Sequence, residues 1–158
     1  MGLEDAANEI DVALTRDDPK GLAYENVFSG VPSFLRRKLT KDLTGIDLAI
    51  TGIPFDQAVT HRSGARFGPR ALREASVTQA GDPPYGWGFS PLEDFAIADF
   101  GDMPFDYANV AEVPKRIEDH IAGVIGQGPG CLTLGGDHSI TLPVLRAHAA
   151  KYGPLALL

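Results

Sequence analysis

Residues 134–139 have the sequence LGGDHS and join an apolar, strand-like run to a helix-like run. Ligand sites of parallel α/β sheets gather at such carboxyl ends of strands. The paired glycines allow a sharp turn and a close approach of the backbone to a ligand. An imidazole at His138 suits a divalent transition metal, and Asp137 would then orient a ligand or support the metal-bound histidine. The alternative is structural, with Asp137 capping the helix and His138 engaged in an ordinary hydrogen bond.

A long loop, residues 52–70, begins where the first predicted strand ends, so it belongs to the same edge of the sheet. It carries the aspartate Asp56, the histidine His61 and the arginines Arg62, Arg66 and Arg70. Loops of this length inside compact domains are usually functional. The arginines either pin the loop through ion pairs with carboxylates or receive an anionic group.

Strand-like and helix-like runs alternate along the chain. Apolar runs bounded by glycine or proline predict strands at residues 47–53, 95–99, 130–134 and 155–158. Helical periodicity and first-turn prolines predict helices from Pro69 to Ala75, from about residue 109 to 125, and from Ser139 to Tyr152. This alternation predicts a parallel sheet with helices on both faces.

Two segments carry further expectations. Residues 80–93 are rich in proline and glycine, so we expect an irregular excursion in which Trp87 and Phe89 cover the core. The last strand, residues 155–158, stops inside an apolar run without a turn residue, which is typical of an interrupted sequence. The alternative is a short strand at the edge of the sheet.

Composition favours one globular domain preceded by an arm. The chain has 158 residues, 44% of them hydrophobic, and residues 1–44 show no sustained period, so we assign them to an N-terminal arm. The net charge of -7, without a basic run, argues against nucleic acid as a partner. No stretch is apolar for the roughly 20 residues that a membrane span needs, and no secretion signal is recognisable. The single cysteine, Cys131, excludes a disulfide within the chain, and we expect a soluble cytoplasmic protein.

Three segments in fixed order resemble the signatures of the ureohydrolase family of arginases, agmatinases and guanidinobutyrases. They are GIPFD at residues 52–56, RSGARFGPRALR at 62–73 and GGDHS at 135–139. The loop DQAVTHR at 56–62 and the segment FLRRK at 34–38 resemble the agmatinase branch more than arginase proper. The resemblance extends from about residue 24 to the end of the chain.

This resemblance implies a three-layer α/β/α fold with a parallel sheet and a pair of manganese ions. In the family a hydroxide bridging the two Mn²⁺ ions attacks a guanidinium carbon, and agmatine yields urea and putrescine. His138 matches the family's first metal ligand, with Asp137 supporting it. His61 is expected near the mouth of the site, facing the substrate or supporting the site, or else it is a surface histidine. No catalytic residue is assigned within the chain.

The remaining ligands of the family belong to an Asp-Ala-His-x-Asp motif and to a later aspartate-rich motif, and this sequence has neither. Residues 45–158 are therefore expected to be the N-terminal part of a catalytic domain, inactive alone. The resemblance also implies a trimer or hexamer of identical chains and a small guanidino substrate. Two alternatives stay open: a guanidinobutyrase-type enzyme and a non-catalytic subunit of a heteromer. A nucleotide-binding domain is disfavoured because neither a G-x-G-x-x-G nor a G-x-x-x-x-G-K pattern occurs.

Overall fold

A computed structural model describes residues 11–157 and contains a four-stranded parallel sheet. The strands are β1 (Lys38–Leu39), β2 (Leu48–Ile53), β3 (Ile97–Asp102) and β4 (Gly130–Gly135). Their order across the sheet is β1-β3-β2-β4. Three of these strands were predicted, and β1 was not.

The helices are α1 (Val12–Thr15), α2 (Gly68–Ser76), α3 (Pro91–Asp94), α4 (Val113–Gly126) and α5 (Thr141–Tyr152). Three of them, α2, α3 and α4, begin with a proline in the first turn, where the missing N–H would be unpaired in any case. Along α4 the buried side chains recur every three or four residues, as the sequence predicted for a helix with one apolar face. Short 3₁₀ turns precede α2, α4 and α5.

Helices cover both faces of the sheet. Ile53 of β2 packs with Ile117 and Ile121 of α4, whereas Ile50, on the opposite face of the strand, packs with Leu92 of α3. The predicted α/β/α architecture is therefore confirmed, with α4 and α5 in one layer and α2 and α3 in the other.

The connections around β2 and β4 create a crevice. The chain leaves β2 towards α2 on one face of the sheet, and it leaves β4 towards α5 on the other. Where the connections after two neighbouring parallel strands leave on opposite faces of the sheet, a gap opens beyond the carboxyl ends of those strands. Ligands of open α/β sheets bind in such gaps. The fold thus brings the loop after β2 and the turn after β4 to the same place.

The described part of the arm is bonded to its own domain at several points. The Gly21 N–H donates to Leu92 O (2.6 Å), and the Ala23 N–H donates to Ala80 O (2.9 Å). The arm also contributes β1, which pairs with β3 at the edge of the sheet. Residues 1–10 of the predicted arm lie outside the described residues.

Two sequence predictions are wrong. Residues 155–157 form no strand, and Leu157 is 73% exposed. A strand exists only through pairing, and no described strand lies alongside these residues; Leu158 is outside the described range. Trp87 and Phe89 are exposed and pack on each other (5.6 Å between ring centroids), because Leu92 fills the core at that point. Across residues 11–157, no helix combines the length and the hydropathy needed to cross a bilayer.

Candidate metal and substrate site

An open cleft of about 420 Å³ lies beyond the carboxyl ends of β2 and β4. One wall is the loop after β2, from Ala58 to Arg62, and the other is the turn from Asp137 to Ser139. This volume accommodates a small linear molecule, since small-molecule sites commonly measure about 300–1,000 Å³. The cleft therefore contains all three predicted site residues, His61, Asp137 and His138.

The turn after β4 requires glycine at position 136. The Gly136 N–H donates to Ile53 O (3.2 Å), which places this backbone directly against the end of β2. A Cβ atom added to Gly136 would lie 2.2 Å from Phe55 O and 2.6 Å from Ile53 O. Any side chain would force the two strand ends apart.

The Asp137 carboxylate links the two walls of the cleft. Its Oδ1 accepts hydrogen bonds from the Ser139 N–H (2.9 Å) and the Ser139 hydroxyl (2.5 Å), so it caps the turn that carries His138. Its Oδ2 accepts from the Ala58 N–H on the opposite wall (2.9 Å). The capping role left open by the sequence is thus present, and support of a metal-bound histidine stays a prediction.

His138 is the first residue of the 3₁₀ turn His138–Ile140 and is exposed to solvent. Its Nδ1 lies 3.3 Å from Thr141 Oγ1, and Nε2 has no hydrogen-bond partner within residues 11–157. Among the described residues, no three His, Cys, Asp or Glu side chains converge to hold a metal ion. His138 fits the role of one ligand, but a manganese pair requires several further oxygen and nitrogen donors.

The loop after β2 is closed at its base by Asp56, which is 1% exposed. Asp56 Oδ2 accepts hydrogen bonds from the Gly64 N–H (2.6 Å) and the Arg66 N–H (3.1 Å), and Oδ1 pairs with the Arg66 guanidinium (2.6 Å). The hydrogen bond with Arg66 is the main reason that the pKa of Asp56 falls from 3.8 to about 2. Gly64 adopts a φ of 141°, which side chains other than glycine's rarely tolerate.

The three arginines of this loop have different environments. Arg66 is ion-paired with Asp56, and Arg70 pairs with Glu74 on the exposed side of α2 (2.9 Å). Arg66 therefore pins the loop, whereas the exposed pair of Arg70 and Glu74 lies within α2 and ties no part of the loop. Arg62 is exposed and lines the cleft beside His61, where it is available to an anionic group.

Sequence reasoning missed a buried network next to the site. Arg73 of α2 donates to both oxygens of Asp99 on β3 (2.7 and 2.9 Å) and to Asp102 Oδ1 (2.6 Å). This bidentate pair fastens α2 to the sheet. The sequence feature that could have revealed this network is Arg73, which lies within the segment 62–73 and on the buried face of α2.

A family model described as the arginase family matches residues 46–158. An agmatinase of Chromobacterium violaceum is 50% identical over 149 residues, which cover 94% of this chain and 46% of the relative. The human mitochondrial guanidino acid hydrolase is 40% identical over 129 residues, covering 82% of this chain and 36% of the relative.

Solved structures give the same picture. The crystal structure of a hypothetical agmatinase from Burkholderia thailandensis has a TM-score of 0.88 and 46% identity, and the match covers 91% of this chain and 45% of the other. The chain therefore spans about half the length of the relatives it matches. Because the family model matches more than two thirds of its residues, the chain belongs to the arginase family.

Proposed function

We propose that this protein takes part in the hydrolysis of a linear guanidino compound, first of all agmatine, to urea and an amine. The observation that carries this proposal is the position of His138, whose imidazole stands on a rigid glycine turn in the cleft between β2 and β4. Agmatine is the first candidate substrate because the relatives that are 47–50% identical are agmatinases.

The difficulty of the reaction explains why a metal is needed. A guanidinium group is stabilised by resonance, so its carbon resists attack by neutral water. Bound manganese supplies a strong nucleophile at neutral pH by lowering the pKa of a coordinated water. In this chain His138 would be one ligand, Asp137 would hold the turn that presents it, and the loop from Ala58 to Arg62 would form the substrate-side wall.

The described residues do not complete a metal pair, since they contribute one imidazole at the expected place and no convergent carboxylates. The other ligands would therefore have to come from outside residues 11–157. We therefore expect the 158-residue chain by itself to release no urea from agmatine with added Mn²⁺. Turnover by this chain alone that depends on Mn²⁺ would contradict the expectation.

A second substrate class is favoured by Arg62. Its guanidinium lies at the cleft, where it would attract the carboxylate of a guanidino acid such as 4-guanidinobutyrate and repel the ammonium group of agmatine. The human relative is a guanidino acid hydrolase. Comparing kcat/KM for the two compounds separates these candidates.

The experiment begins with the protein isolated from its source at its natural length. Its intact mass is compared with the 16.8 kDa of this chain, and urea release is then measured with agmatine and with 4-guanidinobutyrate. His138→Ala should abolish turnover, because a missing metal ligand removes the activated water. The control His148→Ala, on α5 outside the cleft, should retain it.

Each outcome has a clear meaning. A mass near twice 16.8 kDa with urea release supports the proposal, as does loss of activity only in the His138 variant. A mass of 16.8 kDa without urea release would favour the non-catalytic subunit of a heteromer. Assembly into a trimer or hexamer of identical chains stays a prediction, which the mass of the native protein in solution would test.

A further inference from the structure

We infer that Asp56 and Arg66 are positioning residues for the proposed reaction: their buried ion pair holds the His61 loop against His138, although neither side chain lines the cleft. Residues 57–63, the part of the longer loop that carries His61, are called the His61 loop, and the pair of Asp56 and Arg66 is called the clasp. This inference rests on the proposed function and adds Asp56 and Arg66 to the residues that contribute to it.

The clasp joins the two ends of the loop. Asp56 directly precedes the loop, and its carboxylate accepts hydrogen bonds from the N–H groups of Gly64 and Arg66, which directly follow it. The Arg66 guanidinium adds an ion pair at 2.6 Å and remains 37% exposed, while the Asp56 side chain is fully buried. Charge-assisted hydrogen bonds of this kind are about twice as strong as neutral ones.

Arg66 is itself held from the next connection of the fold. Its guanidinium carbon lies 5.7 Å from the ring centroid of Tyr107, within the range of a cation–π contact. The Tyr107 hydroxyl in turn donates to Pro54 O (3.2 Å), just before the loop begins. The clasp is therefore fixed to the segment after β3 as well as to the end of β2.

The tip of the loop depends on these ties. Its first limb is fixed by the bond from the Ala58 N–H to Asp137, and its second limb is fixed by the clasp. Within the described chain, residues 59–63 make no hydrogen bond of their own to the rest of the fold. The tip of the loop, with Thr60, His61 and Arg62, lies between two anchors: the hydrogen bond from Ala58 to Asp137 and the clasp. The positions of these two anchors therefore determine the width of the cleft.

The role of the clasp differs from that of a general stabilising pair. Arg73 and Asp99 join a helix to a strand 26 residues away, so their loss weakens the whole fold. Asp56 binds only residues within ten positions along the chain. Loss of the clasp should therefore open the loop locally and leave the sheet intact.

The test uses limited trypsin cleavage after Arg62, together with steady-state urea release, on the native-length protein. Asp56→Asn keeps the side-chain volume but removes the charge and one acceptor oxygen. Cleavage after Arg62 should become about tenfold faster, because local opening exposes the bond. The KM for the guanidino substrate should rise by a similar factor while kcat falls less, because a displaced wall weakens binding more than chemistry.

Two further variants guard against a simple folding defect. Arg66→Gln leaves the backbone hydrogen bonds of Asp56 in place, so it should increase the cleavage rate and KM less than Asp56→Asn does. Arg66→Lys keeps the positive charge, so it should bring the cleavage rate and KM part of the way back to the wild-type values. Asp99→Asn serves as the matched control, because it removes the charge of another buried carboxylate, the partner of Arg73. When the two variants are compared at the same fraction of folded protein, cleavage after Arg62 in Asp99→Asn should keep the wild-type rate.

The two proposals fail in different ways. Wild-type cleavage in Asp56→Asn, or faster cleavage with an unchanged KM, would overturn the positioning role. If Asp99→Asn accelerated cleavage after Arg62 as much as Asp56→Asn does, the clasp would be no more than a stabilising ion pair, and the positioning role would also be overturned. Absence of urea release from any guanidino compound by the wild-type protein would instead refute the proposed function, and the positioning role with it, whatever the cleavage shows.

Discussion

Two irregular regions of this molecule are held by side chains of opposite charge. The loop at the cleft is fixed by carboxylates, since Asp56 and Asp137 accept hydrogen bonds from backbone N–H groups. Residues 16–37 of the arm are held mainly by arginines that donate to backbone carbonyls, although the N–H groups of Val31 and Phe34 in this stretch bind carboxylates. Arg36 Nη2 donates to Asn26 O and Ser29 O, both at 2.8 Å, and Arg37 donates to Leu35 O and Gly21 O, also at 2.8 Å.

The difference follows from which backbone groups turn inward. Buried N–H and C=O groups must be paired, and irregular segments lack the regular partners of helices and strands. A guanidinium has five donors and can hold several carbonyls at once, whereas a carboxylate only accepts. Charge neutralisation is complete for Asp56, which has Arg66, and for Arg36, which has Glu25 (3.1 Å), but within residues 11–157 no carboxylate pairs with Arg37. Burial, followed by repulsion from Arg16, lowers the pKa of Arg37 to about 9.

The largest expected effect is at the turn beside the cleft. Gly136→Ala should lower the free energy of unfolding by about 3 kcal/mol, because the added methyl group overlaps Phe55 O and must separate the two strand ends. Urea denaturation measures the change. Gly123→Ala, on an open side of α4, is the control and should be neutral or stabilising. Equal effects in both variants would show that the cleft region is no more tightly fixed than the surface of a helix.

The next effect concerns the arm. Arg37→Met should cost about 1 kcal/mol of unfolding free energy, since the part-buried Leu35 carbonyl loses its donor and the Gly21 carbonyl keeps only a longer hydrogen bond from Arg16 (3.3 Å). Arg70→Met, which breaks an exposed pair with Glu74, should change the same quantity by less than about 0.5 kcal/mol. If Arg37→Met were neutral or stabilising, the cost of its buried charge would outweigh its hydrogen bonds, and the comparison between the two regions would fail.

The smallest effect is a local response to acid. Because the pKa of Asp56 is lowered to about 2 in the folded protein, its stabilising contribution is complete above the unfolded value of about 3.9 and is lost as pH falls through 2. Hydrogen exchange followed by NMR should show the Gly64 amide losing protection in this window. The Ala23 amide of the arm should keep its protection to lower pH, because it donates to the Ala80 carbonyl, which does not titrate. Simultaneous loss at both amides would indicate global unfolding instead.

Much of the fold was predictable from the sequence. Helical periodicity and first-turn prolines predicted α2, α4 and α5, and apolar runs bounded by glycine or proline predicted β2, β3 and β4, because each of these elements has a local pattern. The meeting of His61 with Asp137 and His138 in one cleft also followed, since both segments come after parallel strands.

The remainder depends on tertiary position. Lys38–Leu39 is a strand only because β3 lies beside it, and residues 155–157 form none because no described strand does. The role of Arg37 and the hydrogen bonds that Asp56 accepts from the Gly64 and Arg66 N–H groups could not be predicted, because bonds from side chain to backbone depend on which backbone groups face inward. The composition of the loop at the cleft did indicate pinning by arginine, but not which arginine.

Within residues 11–157, the loop tip at residues 59–63 makes no hydrogen bond to the rest of the fold, and this bears on how the protein can change over evolutionary time. Substitutions at residues 59–63 alter what a ligand meets without disturbing any anchor. Substitutions at Asp56, Gly136 or Asp137 disturb the frame itself. Homologues with different substrate preferences should therefore diverge within these five positions while they keep the three anchors, and the same five positions are the natural target for redesigning specificity.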